Sequence, residues 1–436
     1  MLILELITSL ILWIMILVPM NSYIIDLNDR SPYRLVQDVS NQTIFDVTKV
    51  SSESLMNRSG VCGYIDNADP YTSGSTATYV MSIKNIPVKS TSTDAVFITS
   101  DGQHIFVGLN SASTTDYDLI AYDSQDISIP LDKVDSGPGM VGGVLVGKNL
   151  FLINSSVNSA LQRFKFNQVS KKLEKTGDYK VPWSTSGNPV YGTKISTIYP
   201  NLFLGLKKNN GEELLSIDLN KIDGGLALAI NSKWELDSSV QDIWPMYDKY
   251  LHLLISTAKE PEINDFCLNC DFTPFSTTTS SFATTSPINT FDLFGSLGNV
   301  RSLIAKDGVI YVGRTAGNNE LFKINITRDY SSQPIATPTS STYSYDLINS
   351  IDVNDGIYSM IISNHRLFLV EGKSNSKIQI RNEEDISKII QTIDVGGAVY
   401  DMDCSGSKIF GVGSIYKMSG TSTEYITPII FELRPV

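Results

Sequence analysis

Histidine is the side chain from which many acid–base and metal sites are built, and this sequence contains only three of them. They are His104, His252 and His365, each in or beside the second strand of a separate predicted repeat. Because strands of different sheets hold them apart, we expect partly exposed strand residues and no shared catalytic group. The G-x-S-x-G, H-E-x-x-H and P-loop motifs are also missing.

The acidic residues give no stronger indication of catalysis. Asp218–Gly224 is similar to a calcium loop, but its spacing is one residue too long for an EF-hand, and a turn explains it better. Asp352–Gly356 likewise has the composition of a turn. Carboxylate pairs such as Asp116 and Asp118 are common in polar loops. The sequence therefore predicts no enzyme activity, no metal site and no cofactor.

Composition sets the broad class. Hydrophobic residues make up 42% of the 436 residues, a globular share, and charged residues 18%, which is below the roughly 25% typical of soluble domains. Ser, Thr, Asn, Tyr and Ile take up the difference, which favours strands and polar turns. The net charge is −12, and the basic runs do not exceed pairs such as Lys171-Lys172. A nucleic-acid partner is therefore not expected.

Residues 1–22 predict export. Leu6–Met20 is an almost wholly apolar run of 15 residues, which suits the core of a signal peptide better than a bilayer span of about 20 residues. Glu5 occupies the position of a positive n-region, so an uncleaved N-terminal anchor is the alternative and a buried apolar segment the third possibility. We expect a secreted or outer-cell-surface protein that contacts a membrane only through this segment.

Sequons and cysteines agree with export. The sequence has four N-x-[ST] sequons, at Asn41, Asn57, Asn154 and Asn325, which are glycosylation candidates only in a eukaryotic secretory route.

The cysteine count is even, which in an exported chain predicts two disulfides with three possible connectivities. If the N-terminal segment returns to the last repeat, Cys62 pairs with Cys404, and Cys267 with Cys270 forms a local bridge. The Cys267–Cys270 pair is also half of a zinc ribbon, but the second pair is missing.

The most informative feature is a repeat of an apolar strand, a tight polar turn, a second apolar strand, a polar loop and a third strand. In the first copy, Ala95–Ser100 and His104–Gly108 flank an Asp101-Gly102 turn of the type I′ hairpin kind. A fourth strand fits between copies, as at Tyr179–Val181 and Ile389–Asp394. Seven copies begin near residues 95, 143, 195, 242, 301, 357 and 398. This period predicts an all-β, seven-bladed β-propeller.

The ends of the chain predict how the ring closes. The seventh copy stops after its third strand, Pro428–Leu433, and so lacks an outer strand. Upstream of the first copy, Tyr79–Lys84 is a strand with no blade of its own. Placed beside Pro428–Leu433, it completes the last blade and removes a free sheet edge.

The repeat pattern resembles the broad superfamily of WD40-like and YVTN-like β-propellers over residues 78–436. The recurrent Trp-Asp dipeptide and the YVTN tetrad are absent, so the resemblance lies in the strand pattern alone. Residues 23–77 form an extended N-terminal segment that we expect to pack along the ring. Blade four carries a Ser/Thr-rich insertion at about 257–290.

Propellers usually bind ligands with the loops that enter inner strands and join second to third strands. Trp183 and Tyr191 share one such loop, and Arg314 ends a second strand. Aromatic and arginine side chains are common interface anchors, so these three residues form the candidate binding patch. Packing of Trp183 between blades is the alternative interpretation. The sequence thus favours a non-catalytic module that binds a protein or a glycan.

Two other functions stay open. A structural component of a surface assembly requires self-association, and the sequence leaves the oligomeric state undetermined. A propeller hydrolase or lyase requires three or more carboxylates or histidines at one mouth of the channel.

Overall fold

The structure is a computed structural model. It describes residues 24–26, 34–37, 43–46, 78–89, 93–111, 116–137, 139–154, 161–179, 192–198, 201–207, 212–224, 230–247, 251–267, 287, 289–291, 293, 299–306, 308–328, 343–405, 408–419 and 422–436. The chain divides into two compact units, residues 1–55 and 56–436.

The first unit contains a small antiparallel sheet. Its strands β1 (Ile24–Asp26), β2 (Arg34–Gln37) and β3 (Thr43–Asp46) pair in the order β1-β2-β3. Asn41, Asn57 and Cys62 lie outside the described residues, and the packing of residues 23–77 along the ring stays a prediction.

The described residues of the second unit form seven four-stranded antiparallel sheets, the blades. Blades one to three contain β5 (Asp94–Ser100), β6 (His104–Asn110), β7 (Leu119–Asp123) and β8 (Pro130–Val134); β9 (Met140–Val146), β10 (Asn149–Asn154), β11 (Leu161–Asn167) and β12 (Lys172–Tyr179); β13 (Gly192–Ile198), β14 (Asn201–Leu206), β15 (Leu214–Asp218) and β16 (Ile230–Trp234), with a 3₁₀ helix at Leu219–Gly224.

Blades four to seven follow the same plan. They contain β17 (Val240–Tyr247), β18 (Leu251–Thr257), β19 (Ile263–Cys267) and β20 (Asn289–Phe291); β21 (Val300–Lys306), β22 (Val309–Arg314), β23 (Leu321–Arg328) and β24 (Tyr343–Ile351); β25 (Ile357–Ser363), β26 (Arg366–Glu371), β27 (Lys377–Asn382) and β28 (Ile389–Asp394); β29 (Ala398–Ser405), β30 (Lys408–Ser419), β31 (Ser422–Pro435) and β4 (Tyr79–Asn85).

The core lies between adjacent blades. The second strand of a blade is covered on both faces, so every residue of β14 and of β26 is buried. Such strands read as continuous apolar runs, because neither face meets water. At the junction of blades seven and one, Phe410 and Ile430 pack against Ile98 and Ile105 in one cluster.

The tight turns between first and second strands follow from residues that tolerate positive φ. Gly102 has φ 87° and Gly308 has φ 79°. In blade six, Asn364 and His365 have φ 49° and 56°, the combination that a type I′ turn needs. His365 therefore lies in a turn, where it helps to form the hairpin.

The predicted ring closure is confirmed. Strand β4 pairs with β31 from Asn85↔Ile429 to Tyr79↔Pro435, and the Val436 N–H donates to Thr78 O at 2.9 Å. Tyr79 also bonds blade six, since its N–H donates to Gln391 Oε1 at 2.7 Å. The first and last strands of the propeller thus complete one blade.

Two outer elements differ from the sequence-based prediction. The outer strand of blade two is Lys172–Tyr179, whereas the sequence predicted Tyr179–Val181. Only Leu173 and Tyr179 of this strand are buried, so its charged residues hide the apolar alternation. In blade four, the third strand Ile263–Cys267 lies inside the range predicted as insertion.

Candidate binding face and central channel

The blades define two ends of the ring. We call the end where chains enter the inner strands and pass from second to third strands the loop face. The opposite end, with the turns from first to second and from third to outer strands, is the turn face. The sequence analysis placed the candidate binding patch on the loop face.

Each inner strand contains a β-bulge near its first residue, on the loop face. The pairing to the second strand skips one residue, for example Tyr400 between Val399 and Asp401. The skipped residues are Val96, Val141, Thr193, Gln241, Arg301, Tyr358 and Tyr400. Bulges re-aim side chains at the rims of closed sheets, and here they recur at equivalent positions in all seven blades.

The residue after each bulge lines the central channel. These residues are Phe97, Gly142, Lys194, Asp242, Ser302, Ser359 and Asp401. The channel cavity measures about 700 Å³ when its open ends are included. One position of the repeat therefore determines the chemistry of the channel.

The charged channel residues bond adjacent blades. Asp242 Oδ2 accepts the Leu303 N–H at 2.8 Å, and Asp401 Oδ2 accepts the Ile98 N–H at 3.2 Å. Each aspartate thus holds the inner strand of the following blade. Lys194 Nζ lies 3.8 Å from Asp242 Oδ1. Burial raises the pKa of Asp401, and the Lys194 ammonium opposes that rise.

The hydrolase alternative requires three or more carboxylates or histidines at one mouth. Asp242 and Asp401 are the two acidic residues lining the cavity, and no histidine lines it, in the part of the chain that the structure describes. The same residues contain no cluster of His, Cys, Asp and Glu able to hold a metal ion.

A second repeated feature lies beside the bulges. In four blades a buried acidic residue directly precedes the third strand and accepts a backbone N–H from the chain that leaves the outer strand. The pairs are Asp118 with Ser136 (3.1 Å), Glu213 with Leu236 (2.8 Å), Glu262 with Leu293 (2.9 Å) and Glu320 with Val353 (3.1 Å). We call these residues the loop-face carboxylates.

Burial dominates the electrostatics of this group. It raises the pKa of Asp118 to about 7, against the lowering effect of the Ser136 N–H, and Asp135 adds like-charge repulsion. Burial also raises the pKa of Glu320, which the Val353 N–H opposes. Asp118 and Glu320 accept backbone amides, which supply no full positive charge, whereas Glu262 also faces the Arg314 guanidinium.

Comparison with known proteins gives the fold. No protein-family model matches the chain, and no curated protein matches it. A chain of the mitotic checkpoint complex crystal structure matches with TM-score 0.51 and 11% identity, over 79% of this chain and 90% of that chain. The Saccharomyces cerevisiae Sqt1 structure matches with TM-score 0.50 and 11% identity, over 81% and 98%. The fold is a WD40-like seven-bladed β-propeller.

In this WD40-like propeller, Arg314 lies inside the fold. It is 2% exposed, its Nη1 donates to Leu293 O at 3.4 Å, and its Nη2 lies 3.7 Å from Glu262 Oε1. Arg314 therefore joins blade five to blade four and is not available as a surface anchor. Trp183 and Tyr191 lie outside the described residues, so their part of the predicted patch stays a prediction.

The histidines are more buried than predicted. His252 is fully buried, and its Nδ1 lies 2.9 Å from Asp265 Oδ1, whose other oxygen accepts the Tyr345 hydroxyl of blade five. His104 is 2% exposed and packs on Phe166 of blade two. His104 contacts the neighbouring blade directly, and His252 is linked to blade five through Asp265. His365 is partly exposed, as expected. The three do not converge.

Only some of the residues that bear on export are among the described residues. Cys404 is disulfide-bonded, and the Cys62–Cys404 and Cys267–Cys270 pairings stay predictions. Asn154 is 1% exposed, which leaves no space for a glycan on this side chain, whereas Asn325 is partly exposed. Among the described residues, no helix is long and apolar enough to span a bilayer.

The sequence analysis missed the two repeated features of the loop face. The loop-face carboxylates had a visible signal, since Asp118, Glu213 and Glu320 each stand directly before an apolar third strand. The bulges had none, because the skipped positions carry valine, threonine, glutamine, arginine and tyrosine.

Proposed function

We propose that this WD40-like propeller is an exported, non-catalytic interaction module whose loop face binds a protein partner. The observation that carries the proposal is the ring of bulges, which presents one residue of every blade around the channel mouth. Tyr358, Tyr400 and Arg301 are among them, and Tyr and Arg are the residue types over-represented among interface anchors.

The loop face is also held rigidly. The channel aspartates and the loop-face carboxylates fix chain segments between blades through backbone hydrogen bonds. A preorganised surface loses little conformational entropy on binding, which favours affinity. Among the described residues, the channel lining holds two carboxylates and Lys194, fewer acidic groups than the hydrolase alternative requires, which favours binding over catalysis.

Export is the finer part of the proposal. It is supported by the apolar run Leu6–Met20 and by the disulfide at Cys404, since disulfides persist mainly in oxidising compartments. Expression of the full chain in cultured eukaryotic cells tests it. The protein should appear in the medium or on the cell surface, and deletion of Leu6–Met20 should retain it inside; equal distribution of both forms would contradict export.

The binding surface is tested by capture with the tagged full chain. Arg301→Glu combined with Tyr358→Ala should abolish recovery of a specific protein, because both changes alter the channel rim. Lys148→Glu in the β9–β10 turn is the matched control, since it makes the same charge change on the turn face. Recovery that is equal for both variants, or lost only with Lys148→Glu, would place the interface elsewhere.

A further inference from the structure

Blade seven carries a β-ribbon that projects beyond the blade at the loop face. Pairing of β29 with β30 ends at Ala398↔Ser414, and pairing of β4 with β31 ends at Asn85↔Ile429. Pairing between β30 and β31 continues to Ser419↔Ser422. We call residues Ile415–Ser419 and Ser422–Thr427 the blade-seven ribbon.

The ribbon is anchored beside the channel mouth. The Tyr416 hydroxyl contacts the hydroxyl of Tyr400, a channel-lining bulge residue, and donates to Asp94 Oδ1 of blade one at 3.2 Å. Ile415 packs with the cluster between blades six and seven. The base of the ribbon is therefore held in place at the rim.

The two long edges of the ribbon differ. Lys417 pairs with Tyr425 and Met418 with Thr423, so the extra residue Glu424 forms a bulge in β31. Pro428 stands at the base of the same strand. Bulges, charges and proline are the features that protect an edge from strand addition. Strand β30 has no inserted residue in this pairing, and within the described residues no strand pairs with it beyond Ser414.

The pairing register of β30 with β31 shows which backbone N–H and C=O groups of β30 point away from β31. Pro428 O accepts the Ile86 N–H at 2.8 Å, so Pro428 faces β4. Its cross-strand partner Ser414 consequently faces β29. Because the hydrogen-bonding direction alternates along a strand, Tyr416 and Met418 also direct their N–H and C=O groups to the β29 side. These groups lie on the channel side, since β29 is the innermost strand.

We propose that the β30 edge of the blade-seven ribbon binds an extended segment of the protein partner as an added strand. This inference rests on the proposed function and names the way in which the loop face holds its partner. A two-stranded ribbon is only marginally stable alone, and a third strand adds backbone hydrogen bonds. The added strand continues the line of β29 and therefore stands next to the channel rim.

The test uses a matched pair of full-chain variants, Met418→Pro and Met418→Ala. Both remove the methionine side chain, but only proline removes the N–H donor. Proline is tolerated in an edge strand where the N–H faces solvent, so both variants should fold, as thermal melts can check. The probe is a phage-displayed library of random linear peptides selected on the wild-type chain. Binders to a variant in which an Asn-Gly turn joins Ile415 to Thr427, a hydrogen-bonded pair, are removed.

The selected peptides should bind the wild type and Met418→Ala with similar Kd. They should bind Met418→Pro at least about 10-fold more weakly, because a buried partner carbonyl loses its donor. Hydrogen exchange should show new protection at Tyr416 and Met418 in the complex. Equal Kd for all three proteins, or failure to select any ribbon-dependent peptide, overturns the inference.

The experiment separates this inference from the proposed function. Peptides recovered before that removal step can bind the wild type and the shortened ribbon equally. If they fail on Arg301→Glu with Tyr358→Ala, they retain the loop face as a binding surface and contradict the strand addition. If the peptides bind the rim variant and the ribbon variant as tightly as the wild type, both the loop-face interface and the strand addition are contradicted.

Discussion

On the loop face, buried carboxylates accept hydrogen bonds from backbone N–H groups. On the turn face, the Glu383 carboxylate instead contacts basic side chains. Lys306 Nζ donates to both carboxylate oxygens of Glu383 at 3.0 and 3.1 Å, and His365 Nδ1 lies 3.7 Å away. Lys323 reinforces this turn by donating to the Glu383 and Glu384 carbonyls at 2.9 and 2.7 Å. Asp118 and Glu320 accept backbone amides at the opposite end.

The two faces therefore stabilise the fold in two ways, which should differ in their sensitivity to pH and to the removal of a single charge. An amide offers direction without a full charge, so desolvation raises the pKa of Asp118 and of Glu320. A partly buried ion pair offsets desolvation by Coulomb attraction, but removal of one partner leaves the other charge buried. The loop face should therefore respond to pH, and the turn face to the loss of single charges.

The largest expected effect is on pH dependence at Asp118. Its folded pKa of about 7 lies above its ordinary value of 3.8, so the folded state binds more protons than the unfolded state between these values. The free energy of unfolding should consequently fall as pH rises through this window. Asp118→Asn removes this titrating carboxyl. The free energy of unfolding of the variant, relative to the wild type, should therefore rise by on the order of 4 kcal/mol from pH 4 to 7. Urea unfolding at several pH values measures this; parallel curves would contradict it.

The next effect is expected on the turn face. Glu383→Ala leaves Lys306, whose side chain is 8% exposed, without its carboxylate, and should cost about 3 kcal/mol of unfolding free energy. Combining it with Lys306→Met should recover part of the loss, because the unpaired charge is then also removed. A double variant less stable than Glu383→Ala would show that the ion pair does not determine stability here.

A smaller loss is expected at Glu320. Glu320→Ala removes the acceptor of the buried Val353 N–H and should cost about 2 kcal/mol. Glu320→Gln keeps an acceptor without a charge and should be clearly more stable than the alanine variant. Thermal or urea unfolding of the two proteins compares them directly; equal stability would indicate that the hydrogen bond contributes little.

The smallest effect controls for position on the turn face. Val169 is 96% exposed in the turn between β11 and β12. Val169→Ser should change the free energy of unfolding by less than about 0.5 kcal/mol. A larger loss would show that the turn face is sensitive in general, and not only at the Glu383 cluster.

Much of the ring could be predicted because the second strands are covered on both sides. Runs such as Leu367–Val370 are apolar at every position, and their spacing alone predicts seven blades. The closing strand could be predicted from the missing outer strand of blade seven. Outer strands were harder to predict from the sequence. In Lys172–Tyr179 most positions are exposed and several are charged, so the strand lacks a clear apolar pattern.

Side-chain roles could not be predicted in the same way. His104 follows a polar Asp-Gly turn, yet Phe166 of blade two packs against it. His252 stands in an apolar strand and is fully buried, and its partner is Asp265 of the same blade. From the sequence, Arg314 has the position of a loop-face anchor. In the structure its guanidinium is buried against Glu262 and Leu293 O. The contacts of His104 and Arg314 join residues of different repeats, and a repeat read by itself contains no information about its neighbour.

The pairing of Asn85 with Ile429 has a consequence for biosynthesis. During translation, the strand that completes the ring leaves the ribosome early and must wait for almost the whole remaining chain before its partner exists. Until then both β4 and the incomplete last sheet expose unpaired edges, which are sites for aggregation. A nascent chain stalled before Pro428 should therefore depend on chaperones that shield β-strands, whereas a chain that includes all of β31 can close the ring by itself.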